Sequence, residues 1–167
     1  QCFRQYLQEN NITGWKVGSA GIATNDTPVD PKTTETLASL GIHTETYTPH
    51  QVTRELLDTH DAVIAMAQNH ITFLEQEFGF KEALLFKVFA EGVNESIWDI
   101  EDDVPDHLTN RPAVEDKIER TVRYIHDKTP AVFSAVTERY YLFSDFVSGA
   151  RTHRNGFPFI TLYETPN

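Results

Sequence analysis

Cys2 is the only cysteine in the chain, and the first chemical question is whether its thiol can act as a nucleophile. A thiolate that attacks phosphorus works from a Cys-x-x-x-x-x-Arg loop ahead of a helix. The Arg and the loop's backbone N–H groups hold the oxyanion there. Here the Arg position falls on Gln8, and Cys2 shares a helical stretch with Phe3, Tyr6 and Leu7, so Cys2 reads as a packing or surface residue. The 7 histidines show neither H-x-x-x-H nor H-E-x-x-H spacing, so no metal site is expected. His43, His50, His60 and His70 read as loop or helix-surface residues. The remaining candidate is acidic: Asp99, then Glu101-Asp102-Asp103, then Asp106. Such a run is either a solvated loop or a source of one carboxyl for general acid–base catalysis, and its neighbours would raise that carboxyl's pKa.

The elements around these residues alternate. A helix is predicted over Cys2–Glu9 and a short strand over Trp15–Ser19, followed by turn chemistry from Thr24 to Pro31. A helix over Lys32–Leu40 stops at Gly41. His43–Thr48 alternates weakly, as a further short strand would. Thr53 caps a stretch carrying Leu56 and Leu57. Ala62–Met66 is a continuous apolar run of the buried parallel-strand kind, and Ala83–Phe89 reads the same way. Between them Ile71, Leu74 and Phe78 line one face of a helix over Gln68–Phe78. Glu91–Pro112 is a long acidic loop, and length of that order marks a functional suspect. Val114, Ile118, Val122 and Ile125 then define an amphipathic helix. Strands alternating with helices predict an α/β domain with a parallel sheet, whose ligands bind at the carboxyl ends of the strands.

At 167 residues, 40% hydrophobic and 23% charged, the chain is one domain with room for a short appendage. Its 14 Lys and Arg against 25 Asp and Glu give a net charge of -11. That balance disfavours phosphate backbones and anionic lipid, so no nucleic-acid and no membrane partner is expected. No stretch approaches the roughly 18 apolar residues of a membrane helix, and no signal peptide opens the chain. A cytoplasmic location is the resulting expectation. Beginning at Gln1 and ending just after an apolar run, the chain also reads as a piece of a longer protein.

A series of matches sharpens this reading. In order they are Val17-Gly18-Ser19-Ala20-Gly21, Pro28-Val29-Asp30-Pro31, Leu40-Gly41-Ile42, Gln51-Val52-Thr53, Asp61–Met66 with His70, and Trp98-Asp99-Ile100-Glu101-Asp102 ahead of a last helix. Over about residues 1–133 the chain resembles the low-molecular-weight protein tyrosine phosphatase family. The resemblance implies a three-layer α/β fold with a four-stranded parallel sheet. It also implies a cysteine nucleophile, a phosphocysteine intermediate and no cofactor. It puts Phe3-Arg4 late in the family's first helix, so the family's first strand, nucleophilic Cys and phosphate-binding Arg would precede Gln1. The chain would then be a fragment, inactive by itself. By the same resemblance Ser19 braces the phosphate loop. The general acid falls on Asp102, with Asp103 second and Asp99 third. The family's Asp-Pro-aromatic triplet is absent, leaving Val104, Pro105 or Trp98 to wall a phosphotyrosine. Substrates would be a phosphotyrosine-containing protein or a small phosphomonoester.

The family's first strand is central, between the Trp15–Ser19 and Ala62–Met66 strands. Without it, two rows of backbone groups face an empty slot unless another segment fills it. The one spare apolar strand is Phe159–Tyr163. The domain is thus expected over residues 1–135, with 136–167 as a linker helix and either the start of a second domain or an extension packed on the first. Leu142–Gly149 and Phe159–Glu164 weakly resemble the opening of a histidine-triad nucleotide hydrolase domain, without its H-x-H-x-H motif. Two other functions compete with the phosphatase: a non-catalytic binding or regulatory module of the same fold, and an arsenate reductase. The latter needs further cysteines to resolve the arsenylated thiol.

Overall fold

The computed structural model describes residues 1–23, 28–44, 49–139 and 157–162, the last group as backbone. Helix α1 (Cys2–Glu9) buries Cys2, Phe3 and Leu7, and Arg4 ties it to strand β1 (Trp15–Ala20) by donating to the Val17 carbonyl at 2.9 and 3.2 Å. Helix α2 (Pro31–Ser39) starts at Asp30, whose carboxylate accepts the Lys32 N–H at 2.8 Å, and Pro31 supplies the preset φ of a first helical residue. Helix α3 (Arg54–Asp58) is capped by Thr53, whose hydroxyl accepts the Leu56 N–H at 3.2 Å. Strand β2 (Ala62–Ala65) is buried throughout and leads into α4 (Gln68–Phe78), which closes on Gly79 at φ 63°. A residue with a Cβ is strained at that angle.

The reading of Ala83–Phe89 as a strand is corrected here. Only Leu84–Leu85 pairs, as β3; helix α5 (Phe86–Glu91) takes over and ends at Gly92. Phe86 and Phe89, three apart, join the same core cluster on one face of the sheet, which a helix allows and a strand's alternation forbids. A short apolar run cannot reveal which period it follows. The long loop is correspondingly shorter than Glu91–Pro112: it holds a single helical turn, α6 (Ile100–Asp103), and gives way at Arg111 to α7 (Arg111–Thr137). Pro112 sits in the first turn of α7, where a missing N–H costs nothing. The expected strand at His43–Thr48 and the turn at Thr24–Pro31 fall partly outside the described residues.

Four parallel strands form one sheet in the order β1-β4-β2-β3, with β4 spanning Phe157–Leu162. The slot between β1 and β2 is therefore filled from the carboxyl-terminal end of the chain. Val17 pairs with Phe159, and Ile64 with Thr161. Tyr163 lies outside the described residues. Alternation along β2 sends Ile64 to one face, in a cluster with Phe3, Phe86, Val132 and Val136, and Val63 to the other, with Leu57 and Leu74. Helices thus cover both faces, α1, α5 and α7 against α3 and α4, and α7 runs through Pro130 to bury Val136. No described helix is long and apolar enough to cross a membrane.

Candidate functional site

The second half of strand β1 carries Val17-Gly18-Ser19, and side chains two apart share a face, so Val17 and Ser19 look the same way. They line a cavity of about 900 Å³, together with Met66 just past β2 and Trp98, Asp99 and Glu101 of the acidic loop. The cavity therefore reaches the carboxyl ends of β1 and β2, where α/β sheets bind ligands. Helix α7 walls the opposite side with Val114, Ile118 and Val122. Arg111, at the start of α7, closes a bidentate pair across to Asp30 at 2.6 and 2.8 Å and also holds Glu115 at 2.7 Å. This pairing between residues far apart in sequence had no signal in spacing alone.

The Arg111 guanidinium, as hydrogen-bond donor, holds the Asp30 carboxyl below the usual carboxylate range, and the Lys32 N–H adds to it. A depressed folded-state pKa contributes stability that is full above the unfolded value near 4 and is lost as pH falls through the folded value. Asp30→Asn keeps the α2 cap and removes the charge. It is expected to flatten the acid limb of a plot of Tm against pH by lowering Tm at pH 7 towards the parent's acid value, a modest loss because Arg111 is half exposed. An acid limb as steep as the parent's would rule this out.

The three acid candidates differ in their partners. Asp103 is paired with the buried Lys117 of α7. Asp99, at the N-cap of α6, meets His70 Nε2 at 3.4 Å. Asp102 is exposed and forms no hydrogen bond or ion pair with another described residue. Of the three only Asp99 lines the cavity, with Glu101 next to Asp102. His70 is not the surface residue expected: it is fully buried, because α4 turns its His70–Leu74 face against the sheet. Of the residues expected to wall a substrate, Trp98 lines the cavity and is 41% exposed, Val104 is buried, and Pro105 is exposed but outside the cavity lining. Cys2 also lines the cavity, yet burial pushes its thiol up, away from nucleophilic thiolate character. No described group of His, Cys, Asp and Glu is arranged to hold a metal ion.

A parallel α/β sheet with a cavity at the strand ends, lined in part by an acidic loop, defines a ligand-binding α/β class of protein. The chain belongs to the low molecular weight phosphotyrosine protein phosphatase family, whose model matches residues 1–153. Among solved structures, a YwlE mutant from Bacillus subtilis is similar at TM-score 0.66 and 18% identity, over 81% of this chain and 86% of that one. A YwlE arginine phosphatase mutant with a phosphorylated active-site serine matches at TM-score 0.66 and 18% identity, covering 84% and 85%. YfkJ from Bacillus subtilis matches at 0.65 and 20%, covering 83% and 84%. At these identities the likeness is one of fold. None of the curated protein sequences matches this chain.

Proposed function

We propose that this chain is part of a cysteine-dependent phosphatase acting on a phosphotyrosine-containing protein or a small phosphomonoester. The observation that carries the reading is the cavity at the strand ends, lined by Ser19 and by Asp99 and Glu101 of the acidic loop, with Asp102 next in sequence to Glu101, in a chain of this family. The nucleophile sits on a Cys-x-x-x-x-x-Arg loop ahead of Gln1, since Cys2 is followed by no Arg at the required position. The thiolate attacks phosphorus, and the bond to the leaving oxygen breaks as Asp102 protonates that oxygen. Asp102, then ionised, takes a proton from water, which attacks the phosphocysteine and releases phosphate and the thiolate. Ser19 braces the phosphate loop. Neither cofactor nor metal enters, and the acidic surface supports a cytoplasmic protein without nucleic-acid or membrane partners.

A second reading is a binding or regulatory module of the same fold without catalysis, favoured by the lack of a Cys-x-x-x-x-x-Arg loop within these 167 residues. The arsenate reductase reading has less support, because no further cysteine follows Cys2. For the tail, pairing of Phe157–Leu162 with β1 and β2 supports an extension packed on the 1–135 body over a second, histidine-triad domain beginning within 136–167.

The test is p-nitrophenyl phosphate hydrolysis. The 167-residue chain is expected to give no turnover above background, and a longer form carrying the cysteine loop is expected to turn over. The longer form's activity should survive Cys2→Ser and vanish with the loop cysteine. Turnover by the 167-residue chain that survives Cys2→Ser and is lost with Asp102→Asn would overturn the assignment of the nucleophile. A longer form that carries the loop and stays inactive would favour the binding module. Phosphotyrosine and phosphoarginine peptides, the latter prompted by the YwlE likeness, then separate substrate classes.

A further inference from the structure

Three contacts fasten the start of the acidic loop to the junction between β2 and α4. Ile97 N–H donates to the Met66 carbonyl at 2.8 Å, and Gln68 N–H donates to Ser96 Oγ at 2.9 Å. The third is the His70–Asp99 contact at 3.4 Å. A carboxylate only accepts, so the proton of that contact is on Nε2. The imidazole is fully buried, and its Nδ1 has no hydrogen-bond partner among the described residues. A buried, half-satisfied ring on the face that also carries Leu74 is a costly choice where an apolar side chain would pack, and it calls for a reason. The reason lies one link further on. The Asp99 carbonyl accepts the Asp103 N–H at 3.2 Å and so begins α6, the turn on which Asp102 sits.

We propose that His70 is a positioning residue: through Asp99 it fixes α6, and with it Asp102, relative to the carboxyl end of β2. Its catalytic meaning rests on the phosphatase reading; the anchoring itself does not. Groups that protonate a leaving oxygen must be held to within a fraction of an ångström, and displacement of about 1 Å costs on the order of 10²-fold in rate. Backbone contacts at Ser96 and Ile97 hold the loop's beginning. Among the described residues, His70 is the side chain of the β2–α4 junction that reaches the first turn of α6.

Native-state hydrogen exchange on the 167-residue chain tests the anchor, because local opening is read segment by segment. His70→Leu is expected to lower protection across residues 97–104 about tenfold or more, while amides of β2 and of α4 near Leu74 keep theirs. Asp99→Ala, which leaves the core untouched, should give the same local loss, and the double variant no more. His70→Gln, which retains an N–H donor, should restore most of the protection. Unchanged exchange at 97–104 in Asp99→Ala, or a loss spread evenly over the core in His70→Leu, would overturn the proposal. In the longer, loop-bearing form, Asp99→Ala should lower kcat for an aryl phosphate about tenfold at constant KM and add nothing to Asp102→Asn. An unchanged kcat there overturns the catalytic role. Absence of turnover in the unmutated longer form counts against the phosphatase reading and leaves the exchange result to decide the anchor.

Discussion

A chain cut after Thr137 is expected to lose its cooperative thermal transition and to associate in solution. Nothing in the sheet joins β1 directly to β2; the two meet only through β4, which pairs with the 6 residues of β1 on one side and the 4 of β2 on the other. Removing β4 strands both rows of N–H and C=O groups at the centre of the sheet. Each buried group left without a partner costs about 1–3 kcal/mol. A domain is stable by only about 5–15 kcal/mol in all, so a handful of such groups is enough to unfold it. The alternative is for Val63 and Ile64, 2% and 0% exposed in the intact chain, to open their strand as a free edge, which recruits other chains. Ile160→Pro provides the finer test, because it removes one N–H and disrupts the central strand without shortening the chain. Light scattering and calorimetry read both variants. A truncated chain that melts cooperatively within about 5 °C of the parent, a shift worth on the order of 1–2 kcal/mol, would mean that β4 does not hold the sheet together.

The second large effect is chemical. In a form that carries the cysteine loop, Asp102→Asn is expected to slow hydrolysis of phenyl phosphate by roughly 10²-fold or more, the usual contribution of a general acid. With p-nitrophenyl phosphate the loss should be smaller, since nitrophenolate leaves with less need of a proton. Asp103→Asn should do much less to kcat, because that carboxylate is engaged by Lys117 and is not free to exchange a proton with substrate. Steady-state kinetics on the two esters decides between them. A larger loss from Asp103 than from Asp102 would shift the acid by one position along α6. A loss that is the same for both leaving groups would mean that Asp102 acts by some route other than protonating the leaving oxygen.

Features set by neighbouring residues were legible in the chain itself. Thr53 starts a helix because its short polar side chain reaches an N–H three residues ahead. Gly79 stops α4 because it tolerates a left-handed φ, and Ile71, Leu74 and Phe78 announce the helix between by their period. The run Ala62–Met66 needed no partner to be read as a buried strand. Leu84–Phe89 did need one, since the same apolar residues serve a strand and a helix equally until Phe86 and Phe89 find a common core.

The order of the sheet and the roles within the acidic stretch belong to the tertiary structure. Backbone hydrogen bonding has no sequence code, so any extended apolar segment suits the slot between β1 and β2. Only the folded chain assigns it to Phe157–Leu162, more than ninety residues beyond β2. Asp99, Asp102 and Asp103 are the same chemical group within five positions, and nothing local tells them apart. What separates them is contact at long range: His70 reaches Asp99 from α4, Lys117 takes Asp103 from α7, and Asp102 is left to solvent. A carboxyl's chemistry follows from the charges and donors around it, and those arrive only when distant segments pack.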